Sequence, residues 1–128
     1  MKNNTCLFCA IPKERIILEY DLAYAVRDGF PVTPLHSLVI PKRHVIDYFG
    51  LTKEELLCCY DMLHELRTGI LAEDKKVEGF NVGMNVGEAG GQSIFHCHIH
   101  LIPRRTGDVL NPLGGVRNVI PKKRSTIA

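Results

Sequence analysis

The chain has 128 residues, of which 45% are hydrophobic and 23% are charged, and its formal net charge at pH 7 is +2. These values are typical of one globular domain that buries its own core, and they argue against a nucleic-acid partner. No apolar run approaches the ~18 residues of a membrane span and the first ten residues lack the apolar core of a signal peptide, so we expect a cytoplasmic protein with no membrane partner.

The first half of the chain predicts three strands and one long helix. Residues 15–20 and 23–27 read as a hairpin, and residues 37–44 read as a third strand after a turn-rich segment. Thr52 and Glu55 form a capping-box pattern that begins a helix, and Gly69 lies near its predicted end. The side chains predicted to face the core from this helix are Leu56, Leu57, Tyr60, Leu63, His64 and Leu66.

The second half predicts two more strands and a tail. Residues 79–87 and 94–102 have strand composition, a Gly-rich turn joins them, and Pro103 is expected to end the second strand. From about residue 104 the sequence is rich in turn signals and basic side chains, which predicts an irregular C-terminal tail. The chain is therefore predicted to be a single α+β domain over residues 1–128, with an antiparallel sheet of about five strands and one main helix.

The cysteines indicate a metal site. Five cysteines are an odd number in a chain that shows no export signal, which favours thiols and metal ligands over a disulfide framework. Cys6 and Cys9 have the Cys-x-x-Cys spacing that wraps one Zn²⁺, but two further ligands are needed. The predicted structural zinc site has the ligands Cys6, Cys9, His44 and His96. His36 and His64 are alternative ligands, and an unmetallated pair of thiols is the competing interpretation.

Three histidines alternate with apolar residues in the segment "FHCHIHLIPRR" at 95–105. On a strand, His96, His98 and His100 would share one face at roughly 6.5–7 Å spacing, so the outer pair could not easily ligate one atom. Separate roles are therefore favoured over a three-histidine metal cage. A neutral imidazole can attack an electrophilic phosphorus, and the preceding Gly-rich loop at 87–93 could present backbone N–H groups to phosphate oxygens.

The segments "CLFC" (6–9), "RDGFPVTPLHSLVIPKRH" (27–44) and "NVGEAGGQSIFHCHIHLIPR" (85–104) together resemble the histidine-triad (HIT) family. The resemblance implies a HIT-like fold with a short N-terminal helix or turn. It also implies a purine nucleotide substrate and a homodimer whose sheets join across a two-fold axis. Members of the family cleave or transfer nucleoside monophosphates from dinucleoside polyphosphates or nucleoside phosphoramidates, through a nucleotidyl-histidine intermediate.

The same resemblance implies roles for individual residues. His98 matches the nucleophile, His100 matches a donor to the phosphate oxygens, His36 lies near the same phosphates, and Ser93 matches a contact to the phosphates and leaving group. The residues that match nucleotide-binding positions are Asp28, Asn85, Gly91, Gln92, Ser93, His98 and His100. Zinc-bearing members resemble this chain at the four ligands already proposed from their spacing.

The sequence has features of two branches of the family that act on different substrates. The "GGQS" loop is similar to the phosphoramidase (Hint) branch, but that branch often ends in a tail containing tryptophan, and this chain has no tryptophan. The segment "LIPRRTGD" at 101–108 is closer to the dinucleoside polyphosphate hydrolase (Fhit) branch. Both a diadenosine tetraphosphate hydrolase and an adenosine phosphoramidase are compatible with the sequence.

Two other classes of function are compatible with the same residues. One is a zinc-stabilised nucleotide-binding or scaffolding module with little turnover, and the other is a metallohydrolase that uses His98 and His100 as ligands. A further hypothesis concerns basic side chains that could neutralise the distal phosphates of a long substrate, with a solvated tail as the alternative. These side chains are Arg104, Arg105, Arg117, Lys122 and Lys123.

Overall fold

The computed structural model describes residues 5–121. Five strands form one antiparallel sheet in the order β1-β2-β3-β5-β4, and one long helix packs against it. These elements are β1 (Ile16–Glu19), β2 (Ala23–Arg27), β3 (Ser37–Pro41), α1 (Lys53–Glu73), β4 (Gly79–Gly83) and β5 (Ile99–Arg104). A single 3₁₀ turn at Lys13–Arg15 precedes β1. The predicted α+β architecture with five strands and one main helix is confirmed.

The last two strands differ from their predicted bounds. β4 ends at Gly83 instead of residue 87, and β5 begins at Ile99 instead of residue 94. Upstream of β5 the N–H of Cys97 donates to the carbonyl of Val45 at 2.7 Å, so this stretch is bonded to the loop after β3 and not to a strand. Only the last of the three alternating histidines, His100, is therefore part of the sheet.

The prediction that Pro103 ends its strand is also wrong. Its carbonyl accepts a hydrogen bond from Thr33 Oγ1 at 2.7 Å, which shows that the backbone polar groups of Pro103 face the β3 side. Pairing between β3 and β5 has already ended at the Ser37–Leu101 pair, so the missing N–H of proline leaves no ladder bond unmade. β5 continues through Pro103 and pairs with β4 on its other side.

The start of α1 is the predicted one. Thr52 Oγ1 accepts from the N–H of Glu55 at 3.0 Å, and Glu55 Oε1 accepts from the N–H of Thr52 at 2.9 Å, which completes a capping box. Gly69 lies inside the helix, which continues to Glu73.

The predicted buried face of α1 is largely wrong. Leu57 and Tyr60 are 62% and 56% exposed, and of the predicted stripe only Leu66 is buried. The buried residues of the helix are Glu55, Cys59, Met62, Leu66 and Ile70. The difference arises because the Arg43 guanidinium, just after β3, donates to both carboxylate oxygens of Glu55 at 2.9 and 2.8 Å and fixes that side of the helix toward the sheet.

The sheet has an apolar core on each face. The face toward α1 buries small and branched side chains of β2, β3 and β5 under the helix. The opposite face carries a second cluster made of Phe8, Tyr24, Val26, Leu38 and Ile40. Because Leu38 is paired with His100 across the β3–β5 ladder, His100 lies on this second face. We refer to it as the histidine face.

Residues 105–121 contain one 3₁₀ helix, Gly115–Val119, and no strand or α-helix. Two of the arginines proposed to meet substrate phosphates are engaged elsewhere, since Arg104 bonds to Asp108 and Arg105 bonds to Asp74. Lys122 and Lys123 lie outside the described residues. Across residues 5–121, no helix has the length and apolarity needed to cross a membrane.

Candidate active site and metal centre

The four predicted metal ligands come together at one end of the histidine face. Cys6 Sγ lies 3.3 Å from His96 Nδ1, Cys9 Sγ lies 3.3 Å from His44 Nδ1, and Cys9 Sγ lies 3.5 Å from His96 Nδ1. All four ligand atoms lie within 4.8 Å of one another. Two thiols and two imidazoles in this arrangement suit a tetrahedral Zn²⁺ ion.

The surroundings of His96 fit the role of a ligand. Its buried ring donates from Nε2 to the carbonyl of Pro41 at 2.8 Å, which leaves Nδ1 unprotonated and turned toward the two sulfurs. A hydrogen bond to the remote ring nitrogen is the usual way in which a ligating histidine is oriented. Burial lowers the pKa of His96 and raises the pKa of Cys6, so both of these side chains favour the neutral form when no cation is bound.

The two alternative histidine ligands lie elsewhere. His64 is exposed on α1, where its ring packs against Tyr60 with the ring centroids 4.5 Å apart. His36 belongs to a separate group with Asp28 and His100. Neither histidine is part of the Cys6–Cys9 cluster.

His98 lies between the metal cluster and the strand histidine. Its Nδ1 donates to the carbonyl of His96 at 2.8 Å, so the proton of the neutral ring is on Nδ1 and the lone pair is on Nε2. Its ring packs edgewise against Phe8 and His100, with centroid distances of 5.0 and 5.3 Å. Nε2, which carries the free lone pair, is the ring atom that can act as a nucleophile.

His100 forms a second group with His36 and Asp28. His36 Nε2 lies 2.9 Å from His100 Nδ1 and 3.4 Å from Asp28 Oδ2. The other ring nitrogen of His36 accepts a hydrogen bond from the main-chain N–H of Val32 at 3.1 Å. Burial lowers the pKa of His36 and lowers that of His100 to about 4, so both rings are neutral near pH 7.

The spacing of Asp28, His36 and His100 would also admit a cation. The hydrogen bond from Val32 opposes this, because a ring that accepts at Nδ1 must carry its proton on Nε2, where the cation would have to bind. We therefore assign this group to hydrogen bonding. Asp28 Oδ1 accepts from the N–H of Phe30 at 2.8 Å, which fixes the carboxylate at the end of β2.

The Gly-rich loop is held by the side chain of Gln92. Its Oε1 accepts from the N–H of Gly87 at 2.9 Å, and its Nε2 donates to the carbonyls of Ile46 and Ile94 at 2.6 and 3.2 Å. The buried amide has no donor left for a ligand. Gly91 adopts a left-handed conformation with φ of 92°, which an L side chain would adopt only with strain.

Two other predicted nucleotide contacts are exposed. Asn85 lies beside Gly91, since a Cβ atom at residue 91 would come within 3.8 Å of the Asn85 side chain. Ser93 borders a cleft of about 380 Å³ that Cys6, His44 and Phe95 also line. The loop therefore presents backbone and small polar groups near the metal cluster.

Three contributors were absent from the predicted site. The ring of Phe8 packs against both His96 and His98, the carbonyl of Pro41 orients His96, and the N–H of Val32 contacts His36. Phe8 had a visible signal, because it is one of the two apolar residues between the cysteines. The two main-chain groups had no signal, because every residue has a carbonyl and every residue except proline has an N–H.

The arrangement places a nucleophile beside a donor. His98 presents a lone pair at Nε2, while His100, whose Nδ1 faces the proton of His36, carries its own proton at Nε2. A lone pair next to an N–H donor suits attack on a centre that bears electronegative oxygens, such as a phosphate ester or anhydride.

Comparison with known proteins identifies the family to which the chain is related. A model of the HIT domain matches residues 11–107. A HIT-like protein of Mycoplasma pneumoniae is 35% identical over 108 residues, covering 81% of this chain and 74% of the relative. The adenylylsulfatase HINT3 of Arabidopsis thaliana is 32% identical over 111 residues, covering 84% of this chain and 56% of the relative.

Solved structures show the same relationship. A HIT family protein of Bacillus anthracis superposes with a TM-score of 0.75 at 38% identity, covering 84% of this chain and 78% of that one. A Zn-bound histidine triad family protein of Mycobacterium smegmatis has a TM-score of 0.75 at 32% identity, covering 84% and 80%. The expected HIT-like fold is confirmed, and the chain belongs to the HIT domain family.

Proposed function

We propose that this protein is a nucleotide-binding hydrolase or transferase that cleaves nucleoside monophosphates from dinucleoside polyphosphates or nucleoside phosphoramidates. The observation that carries the proposal is the bond from His98 Nδ1 to the carbonyl of His96, which leaves a nucleophilic Nε2 beside the donor His100. Family membership supports a nucleotide substrate, and the relative that is an adenylylsulfatase supports an adenylyl group.

The first step forms a bond between His98 Nε2 and the α-phosphorus, and breaks the bond from that phosphorus to the leaving group. The imidazole becomes a cation whose Nδ1–H remains bonded to the carbonyl of His96, and that carbonyl stabilises the charge. His100 donates its Nε2–H to a non-bridging phosphate oxygen, and the leaving group departs with the electron pair. Its proton, where one is needed, comes from solvent, and the Ser93 hydroxyl relays it by taking up a solvent proton as it gives up its own.

The second step returns the ring to its starting state. Water attacks the nucleotidyl-His98 intermediate in line, the P–N bond breaks, and its electron pair returns to Nε2. The products are a nucleoside monophosphate and one proton, which leaves to solvent. In this scheme His36 acts on the substrate through His100, to which it is hydrogen-bonded.

The remaining residues bind and position the nucleotide. We assign the ribose hydroxyls to the Asp28 carboxylate and the phosphate side to the loop that contains Asn85, Gly91 and Ser93. Gln92 contributes through the loop conformation, because its amide is fully used in holding residues 87–94 against Ile46.

We further propose a structural Zn²⁺ held by Cys6, Cys9, His44 and His96. The donor set and the Zn-bound relative support this assignment. When bound, the ion would hold the N-terminal segment and stabilise both thiolates. Because His96 also supplies the carbonyl that orients His98, the ligands of the metal centre are directly connected to the nucleophile.

A homodimer is the proposed assembly. β4 is an edge strand in which Val82 is 50% exposed, and α1 leaves Leu57 and Tyr60 on its solvent side. A second copy paired along β4 across a two-fold axis would extend the sheet and cover Val82. Light scattering coupled to gel filtration measures the mass, and a monomer at micromolar concentration would count against this assembly.

The function is tested with a substrate panel of diadenosine tetraphosphate, adenosine phosphoramidate and adenylyl sulfate. We expect release of AMP from at least one of them, without added metal, and an acid-labile, base-stable adduct trapped on the wild-type protein. His98→Asn should form no adduct and should still bind AMP. Tight AMP binding with negligible turnover of all three compounds would instead favour the nucleotide-binding module.

A further inference from the structure

Each neutral imidazole carries one proton, on Nδ1 or on Nε2, and the proposed chemistry needs opposite choices on neighbouring rings. His98 must keep a lone pair at Nε2, while His100 must keep a proton there. The carbonyl of His96 fixes the first choice. The hydrogen-bond partners of His36 determine the position of the proton on His100.

His36 is bonded at both ring nitrogens. The N–H of Val32 donates to its Nδ1 at 3.1 Å, so this nitrogen must carry a lone pair. Its Nε2 must then carry the proton, and both groups near that nitrogen, His100 Nδ1 at 2.9 Å and Asp28 Oδ2 at 3.4 Å, are acceptors. Because His100 Nδ1 accepts, the proton of His100 is on Nε2.

We propose that the main-chain N–H of Val32 is a positioning group that sets the direction of the hydrogen-bond chain Val32–His36–His100 and thereby holds His100 as an Nε2–H donor. The rings themselves have no preference strong enough to do this, since a pair of neutral histidines could bond equally well with both protons reversed. The main-chain N–H cannot reverse. It is the fixed end of the chain. Asp28 Oδ2 favours the same direction, because it lies closer to His36 Nε2, at 3.4 Å, than to His100 Nδ1, at 4.0 Å.

The loop between β2 and β3 is built to hold this N–H in place. Thr33 Oγ1 donates to the carbonyl of Pro103 at 2.7 Å, and the N–H of His36 donates to the carbonyl of Thr33 at 3.2 Å. Leu35 has φ of 71°, and it is the only described residue other than glycine with a positive φ. A bulky residue in this conformation is unusual and indicates that the surrounding contacts determine the path of the loop.

The consequence for catalysis rests on the proposed function. With Val32 in place, His100 offers a donor to a phosphate oxygen at neutral pH without becoming charged. If the chain reversed, His100 would turn a lone pair toward that oxygen, and two electron-rich atoms would face each other. The effect should therefore appear in the chemical step more than in binding.

The first test measures the proton positions directly. Nitrogen-15 NMR of the histidine-labelled, metal-loaded protein distinguishes protonated from unprotonated ring nitrogens, with His36→Asn and His100→Asn used for assignment. We expect Nε2–H for His36 and His100, and Nδ1–H for His98. A wild-type spectrum in which His100 carries its proton on Nδ1 would overturn the proposal without any variant.

The second test removes the N–H. Replacing the nitrogen of Val32 by an ester oxygen keeps the side chain, Val32→Pro is the genetic equivalent, and Val32→Ala is the control that retains the N–H. We expect the ester to move proton density of both rings toward Nδ1 and to lower kcat about tenfold or more with a smaller change in KM. Val32→Ala should behave as wild type.

The results separate this inference from the proposed function. Unchanged proton positions in the ester variant would refute the role of Val32, whatever the activity. The wild-type protein could instead show the expected proton positions but turn over none of the adenylyl compounds. That result would support the role of Val32 and would refute the proposed enzyme.

Discussion

The Nδ1 atom of His98 lies 2.8 Å from the carbonyl oxygen of His96, two residues earlier in the chain. The same His96 turns its own Nδ1 toward Cys6 and Cys9 at 3.3 and 3.5 Å. One residue thus belongs to the proposed metal site through its side chain and orients the proposed nucleophile through its backbone. Changes at the cysteines should therefore affect both stability and the first chemical step.

The metal assignment predicts about one zinc per chain by elemental analysis. Cys9→Ser should lose the ion and several kcal/mol of unfolding free energy, because the binding energy of a structural zinc is part of the folding energy. Cys58→Ser, a change at a free and partly exposed cysteine of α1, is the matched control and should retain the metal. Full zinc content in a Cys6→Ser, Cys9→Ser double variant would contradict the assignment.

The neutral histidines predict that acid destabilises the fold. The pKa of His100 is about 4 in the folded protein, against 6.5 for an unperturbed histidine, because the ring is buried. Between these values the unfolded chain binds the proton and the folded chain does not, so stability falls as the pH drops from 6.5 toward 4 and this contribution levels off below. The loss from His100 alone is up to about 3 kcal/mol.

Denaturant unfolding at a series of pH values measures this loss. The comparison is between wild type and His100→Asn, since acid also protonates the metal ligands in both proteins and that contribution cancels. The variant should show a shallower dependence on pH. Identical slopes would show that His100 is not held neutral by the fold.

The capping box predicts unequal roles for two adjacent glutamates. Glu55 is 4% exposed and accepts from Arg43 and from the N–H of Thr52, whereas Glu54 is exposed. Glu55→Ala should lower the free energy of unfolding by about 2 kcal/mol, since it removes a cap and leaves the Arg43 guanidinium without its carboxylate. Glu54→Ala should change it by less than about 0.5 kcal/mol. Equal effects in thermal or denaturant unfolding would refute the distinction.

The positive φ of Leu35 predicts that backbone conformation determines the stability of variants at this position. Its φ of 71° is accessible to glycine and asparagine, but it is strongly disfavoured for a β-branched side chain. Leu35→Val should therefore be less stable than Leu35→Asn by about 1 kcal/mol or more, although valine retains more apolar surface. Chemical denaturation gives the order of the two variants. A more stable valine variant would mean that packing, and not the conformation of the loop, dominates at this position.

Features defined by local pattern were predictable from the sequence. The Thr52–Glu55 capping box depends on residues three positions apart, and both halves of it are formed. The Cys-x-x-Cys spacing with histidines as the remaining ligands likewise named the side chains that the structure brings together. Few residue types can cap a helix N-terminus or bind zinc, so the candidates for each role could be named from the sequence.

Features decided by tertiary contacts were not predictable. The sequence of α1 offers more than one apolar stripe, and the ion pair between Arg43 and Glu55 selects the one that is buried. The late start of β5 depends on the bond from Cys97 to Val45, which no local pattern signals. A main-chain group such as the N–H of Val32 has no signature, because its role depends on position and not on residue type.

The N-terminal segment covers the histidine face without forming a strand. Residues 5–11 contain no regular secondary structure, yet Phe8 lies buried on Tyr24 and His98, and the Tyr24 hydroxyl donates to the Phe8 carbonyl. The cysteines on either side of Phe8 belong to the proposed metal site, so a bound ion would anchor the segment on both sides of Phe8. Loss of the ion should then free residues 5–11 as one cooperative unit and expose the apolar side chains beneath it. A chelated sample should bind hydrophobic dyes and self-associate while the helix side of the sheet remains folded.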